Sequence, residues 1–187
     1  MFNEYPKQVI LKDGTEIVLR ILRPSDFQEL REFFNRIPEE ERWLTKHDLA
    51  DSDLIEDWVE HIDPARAIPV VADLNGRLVG QAVLHRHRYG CTSHIGRLRI
   101  MVDPEFRSRR LGTWLMFDII NLGITVGLER LEARFAIGPE DAAIRGCRKL
   151  DFYEAARLPR YAKSLDGEEY YDLMVMIKRL HAGWDDF

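Results

Sequence analysis

The sequence predicts a single α/β (α+β) domain, a mixed, mostly antiparallel sheet of about six or seven strands with helices on both faces. Three observations carry that reading. Leu98, Ile100 and Val102 alternate with Arg97, Arg99 and Met101, the period of a strand with one face buried. The apolar spacing then lengthens, so that Leu111, Leu115, Ile119 and Leu122 share one helical face until Gly127 stops the helix, and 128–136 alternates again. A strand, crossover helix, strand unit is normally parallel and right-handed. Finally, Asn75-Gly76 lies between two apolar runs and marks an antiparallel hairpin.

The chain has 187 residues, 45% of them hydrophobic and 32% charged, which suits one soluble domain spanning residues 1–187. The core of that domain is expected at about residues 8–180. Net charge is −5, so nucleic acid is not an expected partner. Cys91 and Cys147 are the only cysteines and have neither zinc-type spacing nor a disulfide framework, so no metal is expected. The opening Met1-Phe2-Asn3-Glu4-Tyr5-Pro6 lacks the apolar core of a signal peptide, and no apolar run reaches membrane-spanning length. A cytoplasmic protein with no membrane partner is expected.

In chain order, Val9-Ile10-Leu11 and Ile17-Val18-Leu19 flank Asp13-Gly14 and read as a hairpin, the second strand running to Arg23-Pro24. Ser25 with Gln28 fits a capping box, after which Phe27, Leu30, Phe33, Phe34 and Ile37 line a helix that Pro38 ends. The charged stretch 39–49 has no clear period. A second helix starts near Asp51 or Ser52, with Leu54, Ile55, Trp58, Val59 and Ile62 inward and Asp63-Pro64 closing it. Residues 68–72 and 78–84 form the Asn75-Gly76 hairpin, and polarity rises through His85-Arg86-His87-Arg88. After the long helix and the strand 128–136, Pro139 introduces a helix with Ala142, Ala143, Ile144, Cys147 and Leu150. Asp166-Gly167 makes a turn, and 171–177 is a final strand. Trp114, Phe117, Ile120 and Ile124 make the long helix apolar nearly all round. Such a helix calls for a thick cover from the first two helices or for a homodimer contact.

The centre of the chain is the turn between the 98–102 strand and the long helix. Asp103-Pro104 breaks the ladder. Arg107, Ser108, Arg109, Arg110, Leu111, Gly112 and Thr113 then feed a helix N-terminus, where unpaired amides and the helix dipole favour an anion. No G-x-x-x-x-G-K-[ST] and no G-x-G-x-x-G occurs, which excludes the P-loop and the dinucleotide fingerprint. The loop resembles the pyrophosphate loop of the GNAT acyltransferase superfamily, [RQ]-x-x-G-x-[GA], with Arg107 first, Gly112 last and Arg110 where the inner glycine is usual. The resemblance covers roughly residues 8–180. Asp13-Gly14-Thr15 followed by Leu19-Arg20-Ile21-Leu22-Arg23-Pro24-Ser25-Asp26 is most similar to the acetyltransferase domains of bacterial protein-lysine acetyltransferases. Glu140, Cys147 and Asp151 depart from the family's usual asparagine, tyrosine and glycine.

The resemblance implies an acetyl-CoA-dependent N-acetyltransferase in which an amine attacks the thioester directly within a ternary complex. It also implies that acetyl-CoA is the co-substrate, with residues 107–113 on its pyrophosphate and the backbone of Ile100, Met101 and Val102 on its pantetheine arm. The first loop and helix would border the acceptor, an amine such as a protein lysine or a small amine. The family's usual basic glutamate position falls on Arg97, which cannot accept a proton. Glu132 on the adjoining strand is the first substitute, its alternative being a carboxylate paired with Arg134 or Arg97. His85, His87 and His94 are further candidates. Cys147, or Tyr153 six residues on, is the candidate proton donor to the thiolate. A non-catalytic acyl-CoA-binding sensor or interaction module is the competing expectation.

Overall fold

The computed structural model describes residues 4–180. Residues 1–3, part of the stretch examined for a signal peptide, and the last seven residues of the expected domain lie outside the described residues. The first hairpin forms as the Asp-Gly signal requires: β1 (Lys7–Ile10) pairs with β2 (Glu16–Ile21), and the Thr15 amide donates to Asp13 Oδ1 at 3.1 Å. The helix α1 (Phe27–Arg36) starts differently from expectation. Ser25 does not cap it; Pro24–Asp26 forms a 3-10 turn in which Asp26 accepts the Arg23 amide at 2.8 Å. Arg20 holds that carboxylate from β2 with two bonds of 2.7 and 2.9 Å, so a charged pair outcompetes the weaker hydroxyl cap. The stretch without a period contains a short helix, α2 (Glu39–Trp43). The next helix, α3 (Ser52–Glu60), is capped by Asp51, whose carboxylate accepts the Asp53 and Leu54 amides.

The strands β3 (Ala67–Leu74) and β4 (Arg77–His85) close over Asn75 and Gly76, both at positive φ. Then follow β5 (Ile95–Val102), α4 (Leu111–Thr125), β6 (Arg130–Ala136), α5 (Asp141–Arg148), β7 (Tyr153–Lys163) and β8 (Tyr170–Arg179). The sheet has eight strands in the order β1-β2-β3-β4-β5-β6-β8-β7. The expected count of six or seven falls short because β7 carries almost no sequence signal. It is an edge strand, nearly all exposed, with Pro159 inside it and two register shifts, so no buried face imposes alternation.

Every strand pair is antiparallel except β5 with β6, which is parallel for only three positions: Ile95 opposite Arg130, Gly96 opposite Leu131, and Arg97 opposite Glu132. Beyond Arg97, β5 stays with β4 to Val102, while β6 stays with β8 to Ala136. The two strands therefore part as a wedge. Gly96 sits at its vertex, where a Cβ would lie 2.5 Å from Leu128 Cδ1 and 2.7 Å from Leu84 Cδ1.

The sheet is covered on both faces. On one face α4 and α5 bury Leu84, Leu98, Leu111, Leu115, Ile119, Leu131 and Phe152; on the other α1 and α3 bury Leu30, Phe33, Ile55, Val59, Val71 and Leu78. The first two helices thus do not cover α4, because the sheet stands between them. The outward side of α4 leaves Trp114 and Phe117 partly exposed, and Trp114 Nε1 donates to the Ile10 carbonyl at 3.1 Å. Buried Asp118 on the same helix accepts from Tyr5 and, at 2.8 Å, from Lys7, tying the N-terminal segment to α4. Among the described residues no helix is long and apolar enough to cross a membrane.

The tight vertex gives a first expectation. Gly96→Ala should destabilise the fold by about 1–3 kcal/mol, since a core leucine must leave its rotamer to admit the methyl group. Urea denaturation followed by fluorescence measures it, and an unchanged midpoint would show that the vertex is looser than its contacts imply.

Candidate active site

The wedge opens into a cavity of about 750 Å³. Its walls are the diverging half of β5, the first turn of α4, the end of β6, α5 and the segment from Ile37 to Leu44. Along β5 the alternating burial of Ile95–Leu98 gives way to half-burial of every residue from Arg99 to Val102. The backbone there bonds to β4 on one edge and has no strand on the other, so its polar groups on that edge face the cavity.

The turn feeding α4 is clamped from three sides. Asp103, 1% exposed, accepts from Arg36 of α1 at 2.7 Å, from Arg77 of β4 at 3.0 Å and from the Glu105 amide at 3.0 Å. Burial alone would raise its carboxyl, but Arg36, the Glu105 amide and Arg77 together hold it below the usual carboxylate range. The sequence reading saw Asp103-Pro104 only as a break in a strand. Arg107 donates to both oxygens of Glu41 on α2 at 2.7 Å and to the Val102 carbonyl at 3.2 Å. Arg109 points away from the cavity: it donates to Asp13 at 2.9 Å, lies over the Phe106 ring, and accepts the Lys12 amide on its carbonyl.

Nine of the ten residues expected to hold the cofactor line the cavity: Ile100, Met101, Val102, Arg107, Ser108, Arg110, Leu111, Gly112 and Thr113; Arg109 does not. Ser108 and Arg110 both take left-handed backbone, at φ 60° and 72°. Arg110 is also the N-cap of α4, which explains why a glycine is usual there: the position needs positive φ. It has no ion pair among the described residues, whereas Arg107 and Arg109 are both paired. A Cβ on Gly112 would meet only Val102 Cγ2 at 3.7 Å, so the fold itself accepts a side chain there. The amides at the start of α4 have no acceptor within the helix, and such a helix start with a guanidinium beside it suits an anion.

The three catalytic candidates part company. Glu132 accepts on Oε1 from Arg97 at 2.9 Å and Arg134 at 2.8 Å, and does not line the cavity. Tyr153, 44% exposed, opens β7 opposite Ile177 and also lies outside the lining. Cys147 does line it, on the inner face of α5, and burial pushes its thiol up to about 12. The lining also includes Glu140, noticed in the sequence only as a departure from a family pattern. Its Oε2 accepts the Ala136 amide at 2.8 Å and its Oε1 lies 3.2 Å from Arg99 Nη1 across the wedge. Beside this cavity lies a second of about 330 Å³, sharing Glu41, Leu44 and Pro139 and adding Glu40, Trp43, Asp166 and Tyr171. Trp43 Nε1 donates to the Lys163 carbonyl at 2.8 Å and so ties α2 to the β7–β8 hairpin.

Residues 27–152 match the family model described as Acetyltransferase (GNAT) family. No curated protein matches the chain by sequence. Among solved structures, the GNAT domain of S. lividans PAT superposes with a TM-score of 0.79 at 13% identity, over 96% of this chain and 99% of that one. The yncA protein of Salmonella typhimurium, solved with its cofactor acetyl-CoA, gives 0.74 at 20% identity over 90% and 96%. The ribosomal-protein-alanine N-acetyltransferase of Brucella melitensis gives 0.72 at 22% identity over 87% and 99%.

The clamp at Asp103 makes a second expectation. Its carboxyl is depressed in the folded state, so its contribution is present above the ordinary aspartate value near 3.9 and is lost as pH falls through the folded value. At neutral pH Asp103→Asn should cost about 2–3 kcal/mol, because two guanidiniums lose their counter-charge. The gap between variant and wild type should close on acidification below about pH 4. Urea titrations at a series of pH values read both; a gap independent of pH would remove the charged clamp.

Proposed function

The chain belongs to the Acetyltransferase (GNAT) family and is an acetyl-CoA-dependent N-acetyltransferase, and from that premise we propose that it moves the acetyl group to a primary amine by direct attack within a ternary complex. One observation carries the reading. A single cavity is lined both by the amide-rich first turn of α4 and by the free edge of β5, the two surfaces that a nucleotide pyrophosphate and a pantetheine thioester need together.

In this reading Ser108, Arg110, Leu111, Gly112 and Thr113 hold the pyrophosphate, with Arg110 as the unpaired positive charge. Arg107 and Arg109 shape the loop, since their charges are already matched by Glu41 and Asp13. Backbone groups of Ile100, Met101 and Val102 align the pantetheine arm and polarise the thioester carbonyl. Cys147 forms part of the wall beside the sulfur. With its thiol pushed up to about 12, it is a weaker acid than an ordinary thiol near 8.5 and so a poorer proton donor to the leaving thiolate. The acceptor is an amine carrying positive charge before reaction, a protein lysine, a protein N-terminus or a small polyamine. Supporting this are the carboxylates of Glu40 and Asp166 around the adjoining cavity and the protein-amine substrate in the name of the Brucella relative.

Calorimetric titration of acetyl-CoA checks the cradle. Gly112→Glu should weaken binding at least about tenfold, since it brings a negative charge into the phosphate site while the fold still accommodates a side chain. Arg110→Gly keeps the left-handed backbone and removes only the charge, so a weakening of about tenfold or more is expected from the loss of a charged hydrogen bond. Arg107→Ala should cost less, its guanidinium being committed to Glu41. Wild-type protein with no affinity for acetyl-CoA at millimolar concentration would overturn the reading.

A further inference from the structure

Two carboxylates line the cavity, Glu41 and Glu140. Both oxygens of Glu41 accept from Arg107, which neutralises it and turns its lone pairs away from a substrate. Glu132, outside the lining, is shared by two arginines. Glu140 alone is held by one guanidinium nitrogen and one amide, the first on Oε1 and the second on Oε2. A carboxylate offers about four acceptor positions, so each oxygen keeps one in reserve. The residue stands just past the end of β6 and faces Arg99 of β5, and this pair spans the gap between the two diverging strands. A thioester polarised by the free edge of β5 would lie in that gap.

We propose that Glu140 is the general base of the transfer, taking a proton from the acceptor amine as it attacks the thioester. The inference rests on the acetyltransferase reading above. The acceptor first gives its ammonium proton to solvent; the lone pair so freed forms the C–N bond to the thioester carbonyl carbon, and the carbonyl electrons move onto oxygen. The surplus N–H proton passes to a Glu140 oxygen. As the carbonyl re-forms, the C–S bond breaks and its electron pair leaves on the CoA sulfur, which is protonated by solvent. Glu140 then returns its proton to water, leaving an amide and free CoA.

The surroundings suit the role. Burial raises the Glu140 carboxyl; Arg99 and the Ala136 amide oppose that, Glu41 from α2 adds to it, and the balance lies above the usual carboxylate range. Arg107, Arg110, Arg134, Arg145 and Lys149 are the other charged groups lining the cavity. A carboxylate that binds its proton more tightly is a stronger base at working pH. Arg99 acts as a positioning residue, holding one oxygen so that the other lone pairs keep a fixed direction.

The test follows CoA thiol release from acetyl-CoA with three probe acceptors, spermidine, a lysine-containing peptide and a peptide with an N-terminal alanine. Glu140→Gln keeps the size of the side chain and an acceptor for the Ala136 amide. We expect kcat to fall at least about a hundredfold, with acetyl-CoA affinity by calorimetry unchanged within about threefold. The wild-type profile of kcat against pH should carry an acid limb centred above the ordinary glutamate value near 4.3, and that limb should vanish in the variant. A variant that turns over at the wild-type rate overturns the inference and leaves the acetyltransferase reading intact. So does a wild-type kcat that stays flat down to the ordinary glutamate range, which needs no variant to fold. Wild-type protein that binds acetyl-CoA and acetylates none of the three probes overturns both together.

Discussion

The short parallel pairing of β5 with β6 is the constraint on which the rest of the molecule depends. Three paired positions hold the strands together, and beyond Arg97 and Glu132 each follows its antiparallel neighbour instead. An antiparallel pair fixes a strand along its whole length, so β4 and β8 pull the two apart as the sheet twists. The vertex closes only because Gly96 lacks a side chain among Leu84, Leu128 and Leu131. Outside it, Glu132 links Arg97 to Arg134 and pins the two strands where they begin to diverge. That carboxylate is best understood as part of the hinge of the wedge. The cavity lies further along, where the strands have left one another.

The wedge would be an ordinary surface groove without a rigid turn at its mouth. A turn rich in arginine on a chain of net charge −5 looks at first like a ready cluster of free cations. The molecule uses most of them otherwise. Asp103 binds the turn to α1 and β4, Arg107 binds it to α2, and Arg109 binds it to the first hairpin. The Arg107 and Arg109 pairs, each half-exposed, would alone contribute little. Together with Asp103 they hold one loop from three directions, and the preorganised amides then lose little further freedom on meeting an anion. The same links couple the phosphate end to α2, which also borders the adjoining acidic cavity. The two cavities therefore share a wall at Glu41.

How legible all this was depended on the range of the interactions. The strand, turn and long helix at residues 98–125 declare themselves through a change of period, and the hairpins through Asp-Gly and Asn-Gly, all local signals. The helix start at Asp26 was misread because Ser25 offers the local cap while the winning partner, Arg20, comes from the preceding strand. Pairings such as Arg36 with Asp103 or Arg107 with Glu41 join residues 67 and 66 positions apart, and no spacing rule reaches that far. The apolar girth of α4 was visible, but not that the sheet would separate it from α1 and α3. Glu140 shows the same limit in the site: its neighbour Arg99 is on another strand, and only the wedge brings the two face to face.

Arg110 shows how the molecule weighs backbone strain against charge. The position needs φ near 70°, where a residue with a side chain loses about 1–2 kcal/mol relative to glycine. A glycine would also leave the cavity with no unpaired guanidinium from this loop, since Arg107 and Arg109 are both paired. A charged hydrogen bond from Arg110 to a phosphate would be worth roughly 1.5–3 kcal/mol, so the gain on binding would equal or exceed the cost in the free protein. The cost is present always and the gain only with ligand bound. The trade therefore favours a protein whose loop is already fixed by other contacts and can carry the strain without rearranging. That condition is what Asp103, Arg107 and Arg109 supply, and it accounts for an arginine standing where the family's loop usually turns on a glycine.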